Sequence, residues 1–328
     1  MSKNGLPRKP LTKRRLKNLI LNVLKNPFNM VVLVSLIILF CLIIIPLLTM
    51  ISSTFTLAQG ELRRVQGHVG DFTLYYWKYI LTGKLASAVL WGPLKNSFIC
   101  GFFTVLVSVP LGSVLAWLMI RTDLPGKKIL GLLVTVPYMI PSWTKALAWL
   151  AMFRNSTSGA NGFLAGLGIP VPDWLAYGPI AIVLCMSMHY YAFSYIMVSG
   201  ALRSINSELE EMGEIQGAGK AMILRKITLP LVLPAILSAV ILTFSKAIGT
   251  FGTINYLGSP VSFRTLSSEL YSNSKSQNTQ TAFAMAILMI CIASLSVFIN
   301  QRLIGARKSY ATIGGKGGRS TPIGLGGW

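Results

Sequence analysis

Ser207–Pro234 reads SELEEMGEIQGAGKAMILRKITLPLVLP, a polar stretch set between two long apolar segments. It holds four of the nine acidic residues in the chain, Glu208, Glu210, Glu211 and Glu214. Its first half favours helix. Ser207 is placed to cap the N-terminus, where carboxylates also suit the helix dipole. Gly217 and Gly219 then predict a sharp turn, since glycine accepts positive φ without a steric penalty. Lys220–Thr228 predicts a second short helix, and Pro230 and Pro234 close the segment as the chain re-enters an apolar run. A helix, a glycine turn and a second helix on a membrane surface form a docking element.

The flanking sequence supplies the membrane. With 53% hydrophobic and 12% charged residues, and a mean hydropathy of +0.61, the 328-residue chain is too apolar for a soluble protein. A bilayer core of about 30 Å needs about 20 apolar residues in a helix. Six segments qualify, 29–51, 97–120, 129–153, 179–199, 231–251 and 281–302. The predicted fold class is therefore all-α, a polytopic membrane protein with six transmembrane helices. Pro110, Pro137 and Pro141 fall inside spans and predict kinks.

Charge sets the expected orientation. The net charge of +21 does not point to nucleic acid, because the basic residues cluster beside apolar spans instead of forming a patch with interleaved aromatics. With a cytoplasmic N-terminus, 20 of the 30 Lys and Arg fall in cytoplasmic segments and 8 in outer loops. That bias obeys the positive-inside rule and puts both termini, and the Ser207–Pro230 loop, in the cytoplasm. Residues 1–28 carry eight basic side chains and no acid, with Leu16, Leu19, Ile20, Val23 and Leu24 at helical spacing. They predict a basic amphipathic helix on anionic lipid, too long and too basic for a signal-peptide n-region and so retained. The membrane domain then covers 29–302, and a glycine-rich cytoplasmic tail or connector 303–328. The aromatic stretch Asp71–Ile80 reads as an interfacial belt segment. Cys41, Cys100, Cys185 and Cys291 lie in or beside apolar runs without CxxC spacing, so neither a disulfide framework nor a metal site is expected.

Glu211-Met212-Gly213, Gly217 and Ile227-Thr228-Leu229-Pro230 stand at the spacing of the EAA signature, and the loop resembles that of binding-protein-dependent ABC importer permeases. The resemblance implies that the loop is a coupling helix seated in a cleft of a separate ATPase subunit. Glu211, Met212, Gly213, Gly217, Ile227, Leu229 and Pro230 are then the coupling positions. Met212 and Gly213 depart from the family's usual small pair, and Gly213 costs the first helix about 1 kcal/mol relative to alanine. The partners implied are two ATPase copies, a second permease half (a homologous chain, a fused half or a second copy), an extracytoplasmic solute-binding protein and membrane lipid, in a bacterial inner membrane. The implied mechanism is alternating access. RTDLPGKK (Arg121–Lys128) and VPYMIPSWTKALAW (Val136–Trp149) resemble the iron(III), thiamine and polyamine branch. That suggests iron(III) as solute, with organophosphonate, polyamine or thiamine as alternatives. Gly314–Trp328 resembles the connector of fused double permeases, and a plain flexible tail fits it equally.

Catalytic chemistry is not expected. Two histidines, His68 and His189, stand in no nucleophile arrangement, and there is no GxxxxGK[ST] phosphate loop, so energy must come from another chain and no cofactor is implied. Charges inside spans are expensive and usually functional. Lys145 and Lys246 are the two, and both line a translocation path or snorkel to headgroups. His189 and Tyr190, near the middle of the fourth span, either pack or line the same path. The competing class is a secondary transporter driven by an ion gradient. It calls for acidic residues or discontinuous helices at the midplane, and no Asp or Glu lies in any of the six segments.

Overall fold

The computed structural model describes residues 27–62, 64–276 and 278–306. The basic helix expected over 1–28 lies outside them apart from its last two residues, as does nearly all of the tail, including Gly314–Trp328. The described residues are helical and contain no strand, only a single bridge between Thr56 and Phe72. The protein is all-α, as its apolar periodicity requires.

Two compact units divide at Thr73. The first contains α1 (Pro27–Ser53), which buries no residue and is apolar on every side. A helix apolar all round is suited to lipid. The second unit carries the remaining helices. Besides two single-turn helices, Phe163–Gly166 and Asp173–Ala176, they are α2 (Tyr75–Thr82), α3 (Gly92–Arg121), α4 (Lys127–Met139), α5 (Ser142–Phe153), α6 (Gly178–Ser204), α7 (Glu208–Ile215), α8 (Lys220–Ile223), α9 (Leu229–Gly249), α10 (Gly252–Gly258), α11 (Leu266–Lys275) and α12 (Thr279–Ala306).

The expected segment 129–153 is not one helix. It is two, α4 and α5, separated at Ile140–Pro141. Pro137 is tolerated inside α4, whereas Pro141 sits at the N-terminus of α5, and the residue before a proline is pushed out of helical geometry. Ile140 accordingly takes ψ 132°. Five helical stretches among the described residues are long and apolar enough to cross a membrane: Pro27–Ser53, Ser87–Arg121, Gly178–Ser204, Lys220–Gly249 and Thr279–Arg302. The halves α4 and α5, at 13 and 12 residues, are each too short to do so alone.

The stretch Lys220–Gly249 carries a second correction. Pro230 and Pro234 do not close a short helix at Thr228. Leu224–Thr228 forms a π-helical turn that joins α8 to α9 without a break. In that wider turn Leu229 N–H reaches Leu224 O, five residues back, immediately before Pro230, which has no N–H to offer. The aromatic stretch is not purely interfacial either, because α2 buries Tyr76 and Ile80 completely.

The core is a seam between α3 and α6, crossed by α9. Ser108, Gly112 and Ala116 recur every four residues on α3 and are all buried. Small residues at that spacing let two backbones approach where lipid gives no hydrophobic drive for helix association. A Cβ built at Gly112 would stand 2.3 Å from Tyr191 O and 2.8 Å from Ser194 Cβ, so α6 fills the place of any larger side chain. Two buried clusters lie along this seam. Cys100, Ile182, Met186 and Tyr190 occupy one end, and Ala116, Met119, Val198 and Leu202 the end nearer the acidic loop. The four cysteines are free.

Gly112→Ala therefore overpacks the seam and is expected to cost about 1–3 kcal/mol. Gly200→Ala on α6, where a Cβ meets nothing within 4 Å, should cost nothing. Thermal unfolding of the two variants in detergent reads the difference, and equal melting temperatures would dispose of the close-packed seam.

Candidate functional site

The acidic loop is built on one buried ion pair. Arg121, the last residue of α3, is 1% exposed, and its Nη1 lies 3.5 Å from Glu210 Oε2 on α7. Glu210 Oε1 also accepts a 2.6 Å hydrogen bond from Thr228 Oγ1, and Arg121 Nη2 donates to Ile205 O at 3.4 Å. Arg121 and Glu210 thus join the end of α3, the entry to the loop and its exit into α9. One face of α7 buries Glu210 and Gly213. A Cβ at Gly213 would lie 3.1 Å from Ile227 Cδ1 and 3.3 Å from Ile223 Cγ1, so α7 packs directly on the second half of the loop. A Cβ at this position would require those isoleucine side chains to give by a few tenths of an ångström.

The opposite face of α7 is open. Glu208, Glu211, Met212 and Ile215 are exposed, at the spacing of one helix face, with Ile215 85% and Met212 57% accessible. Gly217 has φ +82°, so the turn depends on it, whereas Gly219 is extended at φ −67° and contributes no left-handed residue. Nor does the Ser207 side chain cap α7. The Glu208 N–H is instead accepted by Asn206 Oδ1 at 3.4 Å. Of the expected coupling positions, Ile227 packs inward on Gly213, while Glu211, Met212, Leu229 and Pro230 are exposed. Sequence reasoning passed over Glu210, Thr228 and Arg121 as a group. The signal available was an arginine at the very end of an apolar span, facing a loop with more acids than its surface needs.

Another concentration of polar side chains among the described residues lies at the far end of α9. His189, Tyr190 and Lys246, three of the four expected path residues, line one open cleft of ≈ 480 Å³ with Tyr138, Gly249 and Thr250. Lys246 is exposed there. Its ammonium donates to Tyr138 Oη at 3.4 Å and lies 5.0 Å from the centre of the Phe193 ring. Tyr190 Oη shares a 2.7 Å hydrogen bond with Thr250 Oγ1, which fixes the floor between α6 and α9.

Lys145, the fourth, is turned elsewhere. Its ammonium donates to Pro137 O, to Ile140 O at 3.0 Å, and stands against His189 Nδ1. Those carbonyls belong to the end of α4, where the helix break leaves acceptors without intrahelical donors. Lys145 caps the break from the first turn of α5, and Thr253 Oγ1 pins the same turn by donating to Ser142 O at 3.0 Å. Among the described residues no group of His, Cys, Asp and Glu could hold a metal ion.

A family profile described as "Binding-protein-dependent transport system inner membrane component" matches residues 108–310, from the middle of α3 past the end of α12. The chain belongs to that family. This permease is 28% identical over 220 residues to the molybdenum transport system permease protein ModB of Escherichia coli K12, covering 65% of this chain and 93% of that one. It is 24% identical over 241 residues to the sulfate transport system permease protein CysT of Salmonella typhimurium, covering 73% and 83%. In three dimensions it resembles a bacterial ABC transporter involved in alginate import, with a TM-score of 0.67 at 18% identity over 87% of this chain and 99% of that chain. Permeases of this family are transport subunits, so the chain is not an enzyme. These relatives do not single out the iron(III), thiamine and polyamine branch. The stretches that suggested it have structural duties here, since Arg121 anchors the acidic loop and Ile140–Pro141 with Lys145 forms the helix break. Such features report the fold and not the solute.

Breaking the buried pair from one side is expected to be costly. Glu210→Ala leaves Arg121 as an uncompensated buried charge, and such single losses cost about 3–5 kcal/mol. Arg121→Met with Glu210→Leu should cost less than Glu210→Ala alone, because neither charge is then stranded. Thermal unfolding of the single and double variants decides it, and a double variant less stable than Glu210→Ala would sink the pairing.

Proposed function

We propose that this permease is the membrane half of an ATP-driven importer for a small oxyanion, with molybdate and sulfate as the leading candidates. The observation that carries the solute class is Lys246, an exposed ammonium in an open cleft with three hydroxyl groups and no carboxylate along the wall. A cation on a wall that offers no counter-charge favours an anionic solute over a cationic one. The relatives ModB and CysT, named for molybdenum and sulfate transport, agree with that chemistry. An iron(III) cation has no reason to enter such a cleft uncomplexed.

The acidic loop is the docking surface for an ATPase subunit. Met212 and Ile215 offer apolar contact, and Glu208 and Glu211 offer charge. Both termini and this loop lie in the cytoplasm, as the bias of basic residues indicates. A binding protein delivers solute from outside, and a second permease half completes the path. The α4–α5 break is a feature that an ion-gradient transporter would share. Such a transporter has no use for a docking face, and it would need a carboxylate in its spans.

Two substitutions test the two halves of this reading. Glu211→Arg should leave the protein folded but weaken its association with the ATPase, since a reversed charge at a docking surface costs a few kcal/mol. Normal co-purification and normal uptake in that variant would remove the docking role. In proteoliposomes, Lys246→Met should lower the uptake rate for molybdate or sulfate at least about tenfold, the scale of a lost charge-assisted contact, with assembly intact. Lys145→Met should instead lower the melting temperature, because its carbonyl partners lose their donor. Wild-type uptake by Lys246→Met would overturn the oxyanion assignment.

A further inference from the structure

We propose that a second cleft, at the acidic-loop end of the bundle, is a binding site for an anionic phospholipid. The cleft has a volume of ≈ 580 Å³ and lies between the end of α3, the start of α4 and the last turns of α6. It is separate from the Lys246 cleft. Arg203 on its rim follows His189 by fourteen residues along α6, about 21 Å at 1.5 Å per residue.

Three features define the ligand. Lys127, Lys128 and Arg203 line the cleft together, and none of them forms an ion pair among the described residues. Even with Asp123 on the adjoining turn, the rim has an excess of positive charge. Ser199 also lines the cleft. It is 5% exposed, and its hydroxyl has no hydrogen-bond partner, which leaves a buried polar group for a ligand to satisfy. The remaining wall is largely apolar, with Met119, Ile120 and Ile196. Cations beside a polar end and an apolar wall beyond match a phosphodiester headgroup with the start of an acyl chain. A free inorganic anion would need only the first part.

Packing explains why the space exists. No residue of α4 is buried, and although Tyr138 stacks on His189 and Phe193 near its end, its first turns leave room against α6. A Cβ at Gly131, on the wall of the cleft, would find Met119 Cε and Tyr195 Oη no nearer than 3.8 Å. The depth also fits. Lys127 and Lys128 open α4, Arg203 lies in the last turn of α6, and both ends meet the polar loops where headgroups lie. Basic pockets between helices at that level take anionic headgroups.

The full-length protein is incorporated into bilayer discs of equal parts phosphatidylglycerol and phosphatidylcholine. It is then extracted, and the lipid it retains is counted by native mass spectrometry. Wild type should retain phosphatidylglycerol selectively. Lys127→Gln, Lys128→Gln and Arg203→Gln should each lower that retention about fivefold, the scale of one basic residue beside an anionic lipid. Gly131→Leu fills the cleft without changing any charge and should lower it as well. Lys84→Gln with Lys95→Gln, exposed cations at the opposite end of the bundle, should leave it unchanged. Undiminished retention in the charge variants overturns the site. Loss in the charge variants with full retention in Gly131→Leu does so too, because the attraction is then diffuse surface charge. A third result also excludes lipid: inorganic phosphate raises the melting temperature of wild type, but not of the charge variants, in phosphatidylcholine discs, with no phosphatidylglycerol retained. If the charge variants do not fold, Gly131→Leu and the charge-conserving Lys127→Arg, which should retain lipid, carry the test.

Discussion

Two charges out of water cannot be separated cheaply, and the loop end of this protein is arranged around that fact. Arg121 is almost wholly enclosed, and Glu210 is its counter-charge. Removing an ion from solvent costs several kcal/mol, which is recovered only when the partner is held close and its remaining groups are satisfied. The Thr228 hydroxyl satisfies one Glu210 oxygen and the Ile205 carbonyl one Arg121 nitrogen, while Arg121 Nε and Nη1 have no hydrogen-bond partner. The buried face of α7 is therefore fixed by electrostatics, and the exposed face, with Glu211, Met212 and Ile215, takes its orientation as a consequence. The surface proposed for docking is whatever the ion pair turns outward.

A comparable logic governs the break between α4 and α5. Ending a helix inside a membrane strands carbonyl groups where water is scarce, so a donor has to be supplied from the protein. Lys145 is that donor, and its partnership with His189 ties the break to α6. The two span lysines thus divide their work. Lys145 stabilises backbone, while Lys246 is left facing the open cleft.

The overall class was legible because membrane helices announce themselves by composition, and the helix and glycine turn of the acidic loop because their residue spacing is specific. The left-handed Gly217 was legible for the same reason. Lys145, His189, Tyr190 and Lys246 were singled out as polar groups in apolar surroundings, but their division into cap and cleft was not, since that depends on which carbonyls the chain brings near. Hydropathy could not show the break at Ile140–Pro141, because averaging over a window smooths across two half-helices of similar composition. The proline pair carried the signal, and a kink and a break leave the same letters. Nor could it show that Pro230 is absorbed in a continuous helix, because the π turn before it is a backbone adjustment without its own residue signature. The solute was obscured for a different reason. The stretch Val136–Trp149 forms the break and carries its cap, so its residues serve the fold and do not name a solute.

The unbroken helix from Lys220 to Gly249 has a mechanical consequence. Thirty residues at 1.5 Å each make a rod of about 45 Å. One end is held in the acidic loop through Thr228, and the other carries Lys246 and the Tyr190–Thr250 bond. A tilt of about 5° about Thr228 would carry Lys246, eighteen residues or about 27 Å further along the helix, through about 2 Å, enough to break a hydrogen bond. Work done at the loop then arrives at the cleft as displacement, with no chain of intermediate side-chain rearrangements. The π turn lies at the fulcrum, the place where a softer backbone costs the lever least stiffness.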